Sequence, residues 1–230
     1  MKKKVLMVIS NPAVSTTTGW PVGFWAAELT HAYKLFTDNG YDITIASPKG
    51  GKVEVDALSD SRDSSGYSKD DTISLKFLQD KSFMNLLENT KKVSDFSSGD
   101  FDAIVVVVVG QGPMFTFKQQ TDLQNKFLEF YNKGKVSAAS CHETSLLLYL
   151  EDKDGNPLIQ GKNMTGFTDK DEDFSDKYVG KKAMPFRIED EAKKLGTEFK
   201  KTNAFEPFAI KDGNLITGQQ EHSELKSLNL

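Results

Sequence analysis

The sequence predicts a doubly wound α/β domain, with a mostly parallel sheet sandwiched by helices. Three observations carry that expectation. Residues 5–9 and 103–109 are uninterrupted apolar runs without polar alternation, the pattern of strands covered on both faces. Residues 5–46 read as strand, helix, strand at the spacing of a βαβ unit. From Val136 a run of small and β-branched residues meets an abrupt polar turn, Cys141-His142-Glu143, and then a second apolar stretch over 146–150. That is a buried strand, a sharp turn and a helix packed back onto the sheet.

In chain order, the first strand (5–9) lies between lysines and Ser10-Asn11-Pro12, and a Thr- and Gly-containing loop occupies 15–19. Trp25, Glu28, Leu29, Ala32, Leu35 and Phe36 then recur at helical spacing, and Asn39-Gly40 ends the helix. Residues 42–46 form the next strand, closed by Ser47-Pro48-Lys49-Gly50-Gly51. The polar stretch 52–72 reads as an excursion from the sheet, and 80–89 as a short helix with Phe83, Leu86 and Leu87 on one face.

Gly110-Gln111-Gly112-Pro113 breaks the strand over 103–109, which should be central. Residues 119–132 are amphipathic through Leu123, Phe127, Phe130 and Tyr131, with Gly134 as the cap. Beyond the turn at Cys141 a helix is expected from about Thr144, a loop over 152–157, a short strand over 163–166 and an acidic segment over 169–176. A helix over 188–195 and strands over 208–210 and 215–217, around Asp212-Gly213-Asn214, complete the chain. No internal repeat or linker separates two units. The expectation is one domain over 1–230, decorated at 52–72 and 168–185.

The 29 Lys and Arg against 33 Asp and Glu give a net charge of −4, with no basic surplus to suggest nucleic acid or an anionic membrane as partner. No segment has the length and apolarity of a membrane-crossing helix. The basic start, MKKKVLMVISNP, has too short an apolar run for a signal peptide and reads better as a first strand. One cysteine cannot form an internal disulfide, which suits a cytoplasmic protein with a free thiol.

Cys141 is the first candidate for chemistry. A lone cysteine is commonly a small buried hydrophobe, but ligands and catalytic groups in open α/β sheets gather beyond the carboxyl ends of strands, where the pattern puts this one. The amino terminus of a following helix would favour its thiolate. Glu28 lies on the same helical stripe as the core residues around it, so its carboxyl is either a buried group tuned to move protons or a helix-start residue turned back to solvent or a backbone amide.

His142 can pair with Cys141 only through a sharp turn; His31 and His222 lack comparable context. Glu143 or the cluster Asp169, Asp171, Glu172 and Asp173 could orient the imidazole, although such clusters are commonly solvated surface. Gly110-Gln111-Gly112 could present amides to an oxyanion or be an ordinary turn. Metal-ligand spacings such as CxxC and HExxH are absent, as are the glycine-rich nucleotide-binding fingerprints, so neither metal nor cofactor is expected.

Several separated stretches carry a family resemblance in order. They are FWAAELTHAYKLFTDNGYDITIASPKGG, VDALSD, FMNLLENTKKVSDFSSGDFDAIVVVVVGQGPM, SAASCH, GKNMTGFTDKDE and DGNLITGQ. Together they resemble the ThiJ/PfpI superfamily, whose fold is flavodoxin-like and of the class I glutamine amidotransferase type, with a nucleophile elbow. The likeness is to its branch of stress-inducible, glutathione-independent glyoxalases (glyoxalase III) and chaperones. The resemblance makes Cys141 the nucleophile, His142 its neighbouring base, Glu28 the glutamate beside the thiol and Glu172 the acid that orients the histidine. Gly110, paired with the His142 amide, would form the oxyanion hole.

Gln111, Phe24, Trp25 and Glu143 would complete the substrate surroundings, with Phe24 and Trp25 as the apolar setting for Glu28. The resemblance implies conversion of methylglyoxal or a similar 2-oxoaldehyde to the 2-hydroxy acid (D-lactate) through a Cys141 hemithioacetal, without cofactor. Its alternatives are a cysteine-dependent amidase or peptidase, and a holdase chaperone or redox sensor acting on unfolded client proteins; a homodimer is common to the family.

The chain departs from the family in three places. Glu143-Thr144 stands where members commonly have Gly-Pro, Val109-Gly110-Gln111-Gly112 where Gly-Gly-His-Gly is frequent, and Gln220-Glu221-His222 where Asn-Pro-Ala is frequent. An acid at Glu143 is expected to narrow the pocket or change its charge.

Overall fold

Apolar residues on both sides of each central strand dictate the layers of this protein. The computed structural model describes residues 2–106, 110–220 and 223. The chain begins with β1 (Lys4–Val8), a small hairpin of β2 (Ala13–Val14) and β3 (Pro21–Val22), then α1 (Ala26–Asp38) and β4 (Asp42–Ser47). After α2 (Thr72–Gln79), α3 (Lys81–Glu88) and β5 (Lys91–Lys92) come β6 (Ala103–Val106), α4 (Pro113–Thr116) and α5 (Thr121–Asn132). The last part holds β7 (Val136–Ser140), a 3-10 helix (Cys141–Tyr149), β8 (Asn163–Met164), α6 (Asp169–Val179), α7 (Ile188–Lys194), β9 (Glu198–Phe199), β10 (Ala209–Asp212) and β11 (Leu215–Gly218).

Seven strands form the main sheet in the order β10-β11-β7-β6-β1-β4-β5. Every neighbouring pair is parallel except the edge hairpin β10–β11. The chain builds outward from β1 to β4 and β5, then returns to the other side of β1 with β6, β7 and β11. The order therefore reverses between β1 and β6, the kind of crevice where open α/β sheets bind ligands.

Period-two alternation divides the core. Leu6, Val8, Ile104 and Val106 join Leu123, Phe127, Phe130 and Leu146 on one face. Val5, Met7, Ala103 and Val105 join Leu29, Ala32, Phe36 and Phe83 on the other. Each fully buried Val, Leu, Ile or Phe contributes about 1.5–3 kcal/mol, so both faces of the sheet are strongly held.

The doubly wound expectation agrees with this sheet, with local corrections. The central strand is described over Ala103–Val106, and 107–109 lie outside the described residues. The polar stretch 52–72 is part of the framework: Ser59 Oγ accepts the Ala26 N–H at 2.9 Å and so caps α1, which has no cap of its own. α2 was not expected. It buries only Ser74 and Leu78, too little for a helical stripe to show in sequence.

The acidic segment is a helix, α6, started by a capping box between Thr168 and Asp171. Where a helix was expected from Thr144, a 3-10 helix begins at Cys141 itself. Among the described residues no helix is long and apolar enough to cross a membrane.

Candidate active site

β7 delivers Cys141 to the carboxyl end of the sheet in a strained backbone. Ser140 is still extended, but Cys141 turns to φ +54°, a left-handed conformation that costs a non-glycine residue roughly 1–2 kcal/mol. Two donors hold the turn. Thr144 Oγ1 donates to the Cys141 carbonyl at 2.7 Å, and the Phe167 amide donates to the same oxygen at 3.3 Å. Gly166 lies so close to Thr144 that an added Cβ would stand 2.2 Å from its hydroxyl. This is the sharp turn that lets adjacent side chains meet. Cys141 Sγ is 3.5 Å from His142 Nδ1.

On its far side, His142 Nε2 lies 3.0 Å from Glu172 Oε1, with the two side chains 7% and 1% exposed. A carboxylate on Nε2 makes that nitrogen the proton-bearing one and leaves Nδ1 free to accept from the thiol. The Phe167 ring lies 4.1 Å from the imidazole, centroid to centroid, at 32°. Glu172 is anchored in turn: its Oε2 is 3.9 Å from Arg187, whose guanidinium also bonds Asp176 at 2.6 Å and Asp173 at 3.0 Å. Thiol, imidazole, carboxylate and guanidinium thus stand in line.

Glu28 approaches from α1, buried at 1% exposure, and its Oε2 accepts the Gly110 N–H at 3.4 Å. Gly110 has φ +48°, and a Cβ there would sit 3.2 Å from the Gly23 carbonyl, so glycine suits the position on both counts. The Cys141 sulfur and one carboxyl oxygen each of Glu28 and Glu143 lie within 4.8 Å of one another. This is the one group of three metal-capable side chains found among the described residues. It offers one soft and two hard donors, one fewer than a closed structural zinc site uses. Linear motif spacing could not reveal it, because Glu28 comes from α1 and the other two from the elbow.

A cleft of about 550 Å³ opens over the sulfur, with Trp25, Glu28, Gly110, Gln111, Cys141 and His142 all in its lining. Glu172 stands behind His142. Two expected residues are elsewhere. Phe24 is a core residue packed with Val5, Met7 and Leu29, because it precedes Trp25 in extended chain and points to the opposite side. Glu143 is fully buried and absent from the cleft lining, so it does not narrow the pocket; its place is beside Cys141 and Glu28.

In the acidic cluster, Glu172 alone reaches His142. Asp171 closes the capping box, Asp173 pairs with Arg187, and Asp169, beside Glu189, is pushed upward by burial and then by that neighbour's charge. Of the positions where the sequence departs from the family, Val109, Glu221 and His222 lie outside the described residues.

Sequence reasoning missed the second histidine pair. His31 lines the cleft and lies 2.9 Å from Asp71. Burial works against the Asp71 carboxylate, but hydrogen bonds from His31 and Ser74 hold it down to about 2. The signal was present: His31 is three residues after Glu28 on α1 and therefore shares its face. Also missed were the cleft aromatics Tyr67, Phe167, Phe174, Tyr178 and Phe205.

Comparison with known proteins agrees with this architecture. The chain is 31% identical to Glyoxalase 3 of Candida albicans over 235 residues, covering 99% of this chain and 95% of that protein. It is 30% identical to the glutathione-independent glyoxalase HSP31 of Saccharomyces cerevisiae, covering 94% and 91%. Among solved structures, rapid encystment protein 24 kDa of Francisella tularensis superposes with a TM-score of 0.84 at 28% identity, covering 98% of this chain and 95% of that one. Glyoxalase III of Candida albicans superposes at 0.76, with 28% identity and coverage of 97% and 93%. The DJ-1/PfpI family model matches residues 21–226, and the chain belongs to that family.

Proposed function

We propose that this protein is a glutathione-independent glyoxalase that converts a 2-oxoaldehyde to the 2-hydroxy acid. The observation that carries the reading is the placement of two different proton-handling groups around one sulfur. His142, backed by Glu172, is 3.5 Å from it, and a Glu28 carboxyl oxygen is within 4.8 Å. The names of the two relatives at 30% identity and above support the same reading.

His142 Nδ1 accepts the thiol proton, and the thiolate adds to the aldehyde carbon. A C–S bond forms, the carbonyl π pair becomes an alkoxide, and protonation gives the hemithioacetal. Glu28 removes the hydrogen from that carbon as a proton, giving an enediol, and a proton is returned to the adjacent carbon. The product of this internal redox step is a thioester of the 2-hydroxy acid: the aldehyde carbon is oxidised and the ketone carbon reduced. Water activated by His142 then attacks the thioester, a C–O bond forms, the C–S bond breaks and the thiol is regenerated. The net change is addition of one water. The Gly110 and His142 amides serve the oxyanions, with Gly110 exchanging its resting bond to Glu28 for the substrate oxygen.

The reading takes the substrate to be a free small molecule in the cytoplasm, where a lone thiol stays reduced, and keeps the homodimer implied by the resemblance. The test is Glu28→Gln with Cys141 retained, assayed by D-lactate formation from methylglyoxal. Turnover should be abolished; full activity overturns the proposal. Suppression of client aggregation that survives Cys141→Ala, with no lactate formed by the wild type, points instead to a holdase.

A further inference from the structure

The cleft is much larger than a three-carbon aldehyde needs. Its volume of about 550 Å³ lies inside the range of about 300–1,000 Å³ that proteins use for drug-sized ligands. We infer that the site is built for 2-oxoaldehydes carrying a flat, uncharged apolar group, an aryl glyoxal being the type, rather than for methylglyoxal. The inference rests on the glyoxalase reading and names the substrate class of that same site.

Four residues that leave large apolar surface in water belong to this one cleft: Tyr67 at 51% exposure, Phe174 at 57%, Tyr178 at 60% and Phe205 at 39%. Exposed apolar surface gathered around a concavity marks a binding site more strongly than scattered residues do. The rings are ordered. One series of edge-to-face contacts runs from Trp25 to Tyr67 (6.3 Å) and on to Tyr178 (5.6 Å). The other runs from His142 to Phe167, tilted against it at 4.1 Å, and then edge-to-face to Phe205 (6.3 Å) and Phe174 (5.1 Å).

One series starts at Trp25 in the cleft lining and the other at His142 beside the sulfur, and both end side by side on α6, where Phe174 and Tyr178 are four residues apart and share a face. Phe205 is held at φ +58°, its amide donating to Asp171 at 2.8 Å and its carbonyl accepting from Gln220 at 3.2 Å. Phe205 thus holds a left-handed backbone, uncommon for a side-chain-bearing residue, where its ring lines the cleft.

Charge selects further. The described lining holds Glu28, Asp70 and Asp71 but no lysine or arginine. A phosphate or carboxylate on the substrate would find acidic neighbours and no permanent cation, whereas a neutral ring gains offset or edge-to-face contacts with the lining rings. The acid product, once anionic, is repelled toward solvent by the same groups.

The experiment compares kcat/KM for phenylglyoxal and methylglyoxal in the wild type and in Phe174→Ser and Tyr178→Ser, both at exposed positions. The expected phenylglyoxal-to-methylglyoxal ratio is at least tenfold, falling toward one in both variants. A wild-type ratio of one or below, or a ratio that neither substitution moves, overturns the inference and leaves the glyoxalase reading standing. So does a wild-type dimer that becomes monomeric in Phe174→Ser with the ratio unchanged, since the rim would then serve a second copy.

Acetophenone, a neutral aryl ketone without the aldehyde, gives a readout free of turnover. Ligand-observed NMR should show saturable binding to the Cys141→Ala protein, weakened at least fivefold by Phe174→Ser. If neither aldehyde is turned over, the glyoxalase reading fails; saturable acetophenone binding then still supports an aryl site, and its absence removes that as well.

Discussion

His142 and Glu172 form a sealed pair: Nε2 and Oε1 are 3.0 Å apart, and neither side chain is more than 7% exposed. The carboxylate fixes which imidazole nitrogen carries the proton, and so which one faces the sulfur. In the proposed mechanism Glu172 acts only through the histidine, as a positioning residue. Glu172→Gln keeps its shape and removes its charge. Turnover is expected to fall by about 10²-fold, the lower end of what a general base contributes, with KM little changed. The double variant with His142→Ala should be no slower than His142→Ala alone. An additive loss in kcat would mean that Glu172 does not work through the imidazole.

Acid stability should depend on Asp71. This residue caps α2 through the Ser74 amide and pairs with His31, and despite opposition from burial these hydrogen bonds hold its carboxyl at about 2. The folded value lies below the unfolded one of about 3.9, so the stabilisation is whole above about pH 4 and is lost as the pH falls through about 2. Asn caps a helix as well as Asp does, so Asp71→Asn isolates the charge. At pH 6 the variant should melt roughly 2–4 °C lower, a difference of order 1 kcal/mol after allowing for partial exposure. At pH 2 the two melting temperatures should coincide. A gap that stays constant over this range would exclude the charge as its cause.

The parts of this molecule legible in sequence are those where local pattern and burial agree. β6, and β1 from Val5 onward, are apolar on every residue because both faces are covered, and α1 shows its stripe because Leu29, Ala32 and Phe36 all reach the core. The elbow was readable because a strand pattern stops abruptly at the one cysteine. α6 was hidden by its charges: only Asp171 and Glu172 are buried, so it has no apolar stripe, although Thr168 and Asp171 at N-cap and N3 were a start signal. The metal-capable trio, the Asp71–His31 pair and the aromatic rim depend on segments distant in sequence, which periodicity cannot join. Phe174 and Tyr178, four apart, were the only local trace of that rim.

Gly166 supports the elbow by leaving room. A Cβ there would lie 2.2 Å from Thr144 Oγ1 and 3.1 Å from Thr144 Cβ, and that hydroxyl donates to the Cys141 carbonyl. Gly166→Ala should therefore destabilise the fold by about 1–3 kcal/mol, the usual cost of overpacking, and lower turnover as the turn shifts. Adding Thr144→Ala removes the closest contact and should recover part of the lost melting temperature. Unchanged stability in Gly166→Ala would show that the elbow tolerates movement that this geometry forbids.

Glu143 lies beside the thiol, where an ionised carboxyl would act on the charge of the sulfur. It is fully buried, and its carboxyl, that of Glu28 and the Cys141 sulfur lie within 4.8 Å of one another. A carboxylate beside a thiol disfavours the thiolate, which is the species that attacks electrophiles. Glu143→Gln keeps size and hydrogen-bonding capacity while removing the charge. Cys141, as the only cysteine, reports the result directly through its rate of alkylation by iodoacetamide at pH 7. That rate should rise several-fold in Glu143→Gln, up to about tenfold if one full charge is felt at the sulfur. Glutamine should leave the cleft open, because Glu143 does not line it, so a slower or unchanged rate would place the charge of Glu143 outside the chemistry of the thiol.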